Sequence, residues 1–132
     1  LAYLLDTNIV IHARDGHDGV LERCLIHRGE LLLSALSLAE LQRGLSPLHP
    51  QAALRRARLD VLLPHLPVLA FDRRAAEAYG RIIASLGWVR GRDFDRLIAA
   101  QAMAAGAVLV TDNAADFQDI PGLKRENWLA SS

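Results

Sequence analysis

The sequence predicts an α/β domain in which helices cover a central parallel sheet, and three observations carry that expectation. Short apolar runs suited to buried strands recur at Leu1 to Leu5, Leu31 to Leu33, Val68 to Ala70 and Val108 to Val110. Longer segments with apolar residues at helical spacing separate them, and parallel neighbours need such crossovers to connect. Asp6 and Asp112 stand just past the first and last runs, where strands of these sheets hand over to loops and helices. A chain of 132 residues fits one domain, spanning 1–132, and a hydrophobic share of 52% supplies an ordinary core.

Each element has a local reason. Asp6-Thr7-Asn8 ends the first run with residues suited to a helix start, and a weak helix over Ile9 to Ala13 stops at Asp15-Gly16. A second helix is expected from Gly19 to His27, with Val20, Leu21, Cys24 and Leu25 on one face and Gly29 beyond its end. After the strand Leu31 to Leu33, a helix begins at Ser37, runs through Gln42 and is closed by Gly44 and Pro47. Gln51 to Leu63 is helical in pattern, with Arg55, Arg56 and Arg58 on its polar side and Pro64 and Pro67 bounding the link to the next strand. Asp72 caps a helix reaching Leu86, and Gly87 ends it. Gly87 to Arg92 reads as an exposed loop, Asp95 opens a helix through Ala105, and Gly106 terminates that helix.

Composition narrows the function classes. Acidic and basic side chains balance at 15 each, so no global field points to nucleic acid or to an acidic membrane surface. Lys124 is the only lysine, and the arginines that supply the remaining positive charge suit phosphate as well as carboxylate. The single cysteine excludes an internal disulfide framework and fits a core thiol in a reducing cytoplasm. The opening apolar run is too short for a signal peptide, and no run approaches a membrane span.

The acids gather where ligands of open parallel sheets bind, beyond the carboxyl ends of the strands. Asp6, Glu40, Asp95, Asp112 and Asp116 all fall there. Taken singly, Asp6 and Asp95 match helix caps, and Ser37-Leu38-Ala39-Glu40 matches a Ser-x-x-Glu capping box. Taken together, converging carboxylates repel unless a cation neutralises them, and hard oxygen donors select Mg²⁺ or Mn²⁺ over Zn²⁺. His12, His17, His27, His49 and His65 lack metal-ligand spacing and are read as surface or loop residues.

Leu4-Leu5-Asp6-Thr7-Asn8, Ser37-Leu38-Ala39-Glu40-Leu41-Gln42-Arg43-Gly44 and Asp95-Arg96-Leu97-Ile98-Ala99-Ala100 resemble, in order and spacing, the acid-bearing segments of the PIN-domain ribonucleases, in particular the VapC-type toxins of bacterial toxin and antitoxin pairs. Val110-Thr111-Asp112-Asn113, Asp116-Phe117 and Glu126-Asn127-Trp128 resemble the closing pattern, so the likeness covers nearly the whole chain. It implies a three-layer PIN-like domain with a central parallel sheet of four or five strands, and a metal-dependent endoribonuclease using Mg²⁺ or, alternatively, Mn²⁺. It also implies a cognate VapB-like antitoxin, a homodimer and toxin-antitoxin hetero-oligomers. Asp6, Glu40, Asp95 and Asp116 are the catalytic candidates, the first three of them as metal ligands. Thr7, Asn8, Ser37, Thr111, Asp112 and Asn113 are candidates to hydrogen-bond around the metal, and Arg43, Arg90, Arg92 and Arg96 to touch the RNA backbone. Asn113 stands where some members place a fourth acid. Asp116 is favoured for that role because it lies about one helical turn further on, with Asp112 turned aside as a turn or cap residue.

Two other functions remain open at the level of sequence. An Asp after the first strand also suits a haloacid-dehalogenase-like phosphohydrolase, but the second Asp expected two positions on is Asn8, and the middle of the chain has no lysine. A catalytically degenerate PIN-like module that binds RNA or protein is the other alternative.

Overall fold

In the computed structural model, which describes residues 1–129, the first apolar run yields strand β1, Tyr3–Leu5, while Leu1 stays 70% exposed outside it. The final three positions of the domain expected over 1–132 lie outside the described residues. Strands β2, Leu31–Ser34, β3, Val68–Leu69, and β4, Val108–Val110, form at the other apolar runs. Strand β5, Arg125–Glu126, has no counterpart among those runs. Two polar residues pairing on β4 at the sheet edge leave no hydrophobic signal.

The sheet runs in the order β3-β2-β1-β4-β5 with every pairing parallel. Leu5 of β1 registers with Leu33 on one side and with Val110 on the other. The chain therefore builds outward from β1 through β2 to β3, then crosses back to lay β4 on the opposite flank of β1. The gap between β1 and β4 is a topological switch point, the place where such sheets open a crevice.

Alternate residues of each strand feed two cores. Tyr3, Leu5, Leu31, Leu33, Val108 and Val110 pack on one face with helices α1, Thr7–Arg14, α2, Asp18–Ile26, α3, Ala35–Arg43, and α4, Ala52–Leu62. Leu4 and Leu109 point the other way, toward α5, Arg73–Leu86, and α6, Asp93–Ala105, where Ala78, Ile82, Ile98 and Phe117 fill the core. Small residues at Ala99, Ala100 and Ala102 let α6 lie close against the sheet. This is the expected α/β three-layer architecture with a five-stranded parallel sheet.

Several boundaries differ from the sequence expectation for identifiable reasons. Helix α1 starts at Thr7 because the Asp6 carboxylate accepts the Thr7 N–H at 2.8 Å. Helix α2 buries Val20 completely but leaves Leu25 70% exposed, so its apolar face is narrower than expected. His17 and His27 are not idle surface residues: Nδ1 of His17 accepts the Val20 N–H and caps α2, and the His27 ring stacks on Trp128 with centroids 5.3 Å apart. Helix α3 starts at Ala35, capped by Ser34, whose Oγ accepts the Leu36 N–H at 3.0 Å. Ser37 thus lies inside the helix, and the capping box expected from Ser37 to Glu40 does not form. Asp72 caps α5 as expected, and Gly106 ends α6 at φ 64°, a left-handed conformation that a side chain disfavours. Cys24 packs against the core, and burial pushes its thiol up to about 11. Among the described residues no helix is long and apolar enough to cross a membrane.

Candidate active site

Asp6 lies at the switch point. Its backbone N–H donates to the Val110 carbonyl at 2.9 Å, which ties the end of β1 to the end of β4. One carboxylate oxygen caps α1, and the other accepts the Thr111 hydroxyl at 3.0 Å. The side chain is nearly buried, and burial raises its pKa first of all. The two hydrogen bonds oppose that rise, while the charges of Asp112 and Glu40 add to it.

Glu40 reaches the same place from α3. Its carboxylate accepts the Thr7 hydroxyl at 2.6 Å, across 33 residues of chain, so its side chain is directed by α1 and not by a cap of its own helix. Thr7 and Thr111 are therefore the two hydroxyls that orient the first two acids.

Asp95 arrives on the first turn of α6 with no hydrogen-bond donor to it among the described residues. Burial and then the charges of Asp6 and Asp116, with Glu40 adding less, raise its pKa to about 6, against a smaller opposing pull from Arg92. Asp95 and Asp6 each feel the charge of the other acids, so strands and helices distant in sequence share one electrostatic pocket.

The remaining candidates divide. Asp116 sits on a 3-10 turn, Ala114–Phe117, beside Asp95, and accepts a hydrogen bond from the Asn113 side-chain amide. Asn113 thus holds Asp116, and its own N–H is fixed by the Thr111 hydroxyl at 3.1 Å. Asp112 does not turn aside as expected: its charge reaches Asp6, its Oδ2 lies 3.4 Å from Nε2 of His12, and its Oδ1 is buried without a partner. His12, set aside in the sequence reading with the surface histidines, therefore borders the site. No local pattern signals it, because its partner Asp112 lies far along the chain. Asn8 is exposed, and Ser37 is buried with its Oγ unpartnered.

The arginines divide as well. Arg43 is exposed and lies 3.7 Å from Glu40. Arg92 is half-exposed and donates to the Asp116 carbonyl at 3.4 Å, and Arg90 is exposed on the neighbouring turn. Arg96, expected to touch RNA, is instead buried and spent on the Gly87 carbonyl at 2.9 Å and the Asp119 carboxylate at 3.2 Å. Its place one residue after Asp95 turns it toward the protein, where it pins the loop that precedes α6.

The donor set fits a hard divalent cation: carboxylates only, charge-coupled, with a buried Asp112 oxygen lacking a partner. Among the described residues no three candidate donors stand together in a ligating arrangement.

Residues 3–123 match the family model described as PIN domain. Ribonuclease VapC2 of Rickettsia felis is 34% identical over 134 residues, covering 97% of this chain and 98% of that protein. The tRNA(fMet)-specific endonuclease VapC of Shigella flexneri is 33% identical over 133 residues, with 97% and 98% covered. Among solved structures, VapBC2 from Rickettsia felis bound to a DNA fragment from their promoter superposes with a TM-score of 0.84 at 32% identity, covering 97% of this chain and 99% of that one.

Proposed function

The chain belongs to the PIN-domain family, within its VapC ribonucleases, and from that premise we propose that Asp6, Glu40, Asp95 and Asp116 are the acids with which it hydrolyses RNA phosphodiesters. It is an endoribonuclease of the toxin type, with RNA as substrate and a VapB-like antitoxin as its partner. The observation that carries the residue assignment is the hydrogen-bonded link through Thr7, whose N–H holds Asp6 and whose hydroxyl holds Glu40, with Asp95 close enough for the charges of Asp6 and Asp116 to raise its carboxyl.

Asp6 and Asp95, with Glu40, would hold a divalent ion, Mg²⁺ with Mn²⁺ as the alternative. When bound, that ion polarises a phosphoryl oxygen and lowers the pKa of water, so no side-chain nucleophile is required. Asp6 offers a fixed carboxylate, because Thr7 N–H and the Thr111 hydroxyl occupy one lone pair on each oxygen. Glu40, steered by Thr7, would orient a water or hold a second ion. Asp116, positioned by Asn113, completes the negative rim beside Asp95. Arg43 and Arg92, at the edge, offset that charge for an approaching phosphate backbone. The protein works in the cytoplasm as a homodimer that assembles with its antitoxin into hetero-oligomers.

The test is to purify the chain free of any antitoxin and incubate it with end-labelled structured RNA, with Mg²⁺, with Mn²⁺ and with EDTA. Internal cleavage with either ion and none in EDTA is the expected result. Cleavage that continues undiminished in EDTA would remove the metal assignment, and intact RNA in every arm would remove catalysis.

A further inference from the structure

An indole is a large apolar surface, and most tryptophans are largely buried. The chain has two. Trp128 is 3% exposed in the core, but Trp88, in the connection between α5 and α6, is 62% exposed, with the 39% exposed Val89 beside it.

The segment that carries Trp88 is held at both ends. Gly87 ends α5 at φ 76°, and its carbonyl accepts the bond from buried Arg96. On the far side, the Arg92 N–H closes a turn on the Val89 carbonyl at 3.2 Å, and its guanidinium reaches across to the Asp116 carbonyl. The indole therefore stands on a pinned turn whose far end is tied to the acid pocket, with the guanidiniums of Arg90 and Arg92 following it in the chain.

The geometry points to Trp88 as a stacking platform for an unpaired RNA base next to the cleavage site, with Arg90 and Arg92 engaging the flanking phosphates. The inference rests on the ribonuclease reading and narrows it to RNA with an unpaired segment. Every base offers a π face to an indole, whereas bases within a duplex are already stacked and present none. The two arginines that follow the indole in the chain also answer a difficulty of the site, because a rim of carboxylates repels the RNA backbone it must admit. A purely apolar protein contact would use Trp88 and Val89 but would have no need of Arg92, whose guanidinium reaches Asp116, or of the exposed Arg90 between them in the chain.

Intrinsic fluorescence tests this on the full chain, titrated in EDTA so that nothing is cut, first with a hairpin RNA carrying an unpaired loop and then with a fully paired duplex. The loop RNA should quench the exposed tryptophan, and Trp88→Phe should abolish the quenching while keeping most of the affinity. Trp88→Ala should weaken loop-RNA binding about tenfold or more, leave duplex binding unchanged, and raise KM rather than lower kcat when Mg²⁺ is restored. Equal loop-RNA affinity in parent and Trp88→Ala would overturn the inference, as would a loss of antitoxin binding or of dimer with RNA affinity intact. A parent chain that cuts RNA in an Asp95-dependent manner while Trp88→Ala matches it leaves the ribonuclease reading standing and removes only this one. A parent chain that neither binds nor cuts RNA removes both.

Discussion

Asp6 at the end of β1 and Asp95 at the start of α6 face one pocket, yet the surrounding protein treats them differently. Asp6 is clasped by the Thr7 N–H and the Thr111 hydroxyl, both of which favour its charged form. Asp95 has no donor among the described residues, and its environment pushes its carboxyl to about 6. One acid is held in place by its neighbours, and the other is left electrostatically unsatisfied. In the proposed site this divides the work: the sheet edge would supply geometry, and the helix the unmet charge that would make cation binding favourable.

The largest effects should come from removing either charge. Asp6→Asn and Asp95→Asn should each lower RNA cleavage by about a hundredfold or more, because each removes a ligand charge. Their stabilities should diverge. Without divalent ions at pH 7, Asp95→Asn should gain roughly 1 to 2 kcal/mol, a figure reduced from the full pKa shift to allow for solvent screening. Asp6→Asn should gain less, since the Thr7 and Thr111 donors offset part of the burial that raises its carboxyl. Thermal melts in EDTA check this, and equal gains in the two variants would erase the distinction between the acids.

The pH dependence follows the same asymmetry. Asp95 has a folded pKa of about 6, above its ordinary 3.8, so the fold binds its proton more tightly than the unfolded chain does. Below 3.8 this group costs nothing; as pH rises from 3.8 to about 6 the metal-free fold loses stability, and the penalty is complete above that window. The slope should disappear in Asp95→Asn and should shrink with Mg²⁺ present. Denaturant midpoints across that range measure it, and a rise in metal-free stability attributable to Asp95 over the window would reverse the assignment.

A smaller effect isolates the clasp on Asp6. Thr111→Val keeps the shape but removes the hydroxyl, and should raise the Mg²⁺ concentration for half-maximal cleavage by about tenfold while leaving maximal rate at saturating ion within a few-fold. An unchanged Mg²⁺ requirement would mean that β4 contributes only backbone to the site.

The smallest contrast lies on the two serines of the β2–α3 junction. Ser34→Ala loses the cap on α3 and the bond to Gln101, and should cost about 1 to 2 kcal/mol. Ser37→Ala removes a hydroxyl that is buried without a partner, and should be neutral or slightly stabilising. Urea midpoints of the two variants decide whether the cap belongs to Ser34.

Much of this was legible in the chain itself. Leu31 to Leu33 and Val108 to Val110 announce strands because a buried parallel strand is apolar on both faces. Asp72, Gly87 and Gly106 mark helix ends through local chemistry, which needs no tertiary partner. The order of Asp6, Glu40 and Asp95 pointed to the acidic site, because strand ends and helix starts are local features and parallel sheets bring them to one edge. What only the tertiary structure decided is which groups face each other there. Thr7 steering Glu40, Thr111 clasping Asp6, His12 beside Asp112, and the two-residue strand β5 all depend on contacts between residues far apart in the chain. Arg96 is buried for the same reason: its partners Gly87 and Asp119 lie 9 and 23 residues away, and no local pattern distinguishes it from the exposed Arg90. Periodicity and capping report on a few neighbouring residues, whereas hydrogen bonds and charge coupling in a pocket depend on the packed arrangement of the entire sheet edge.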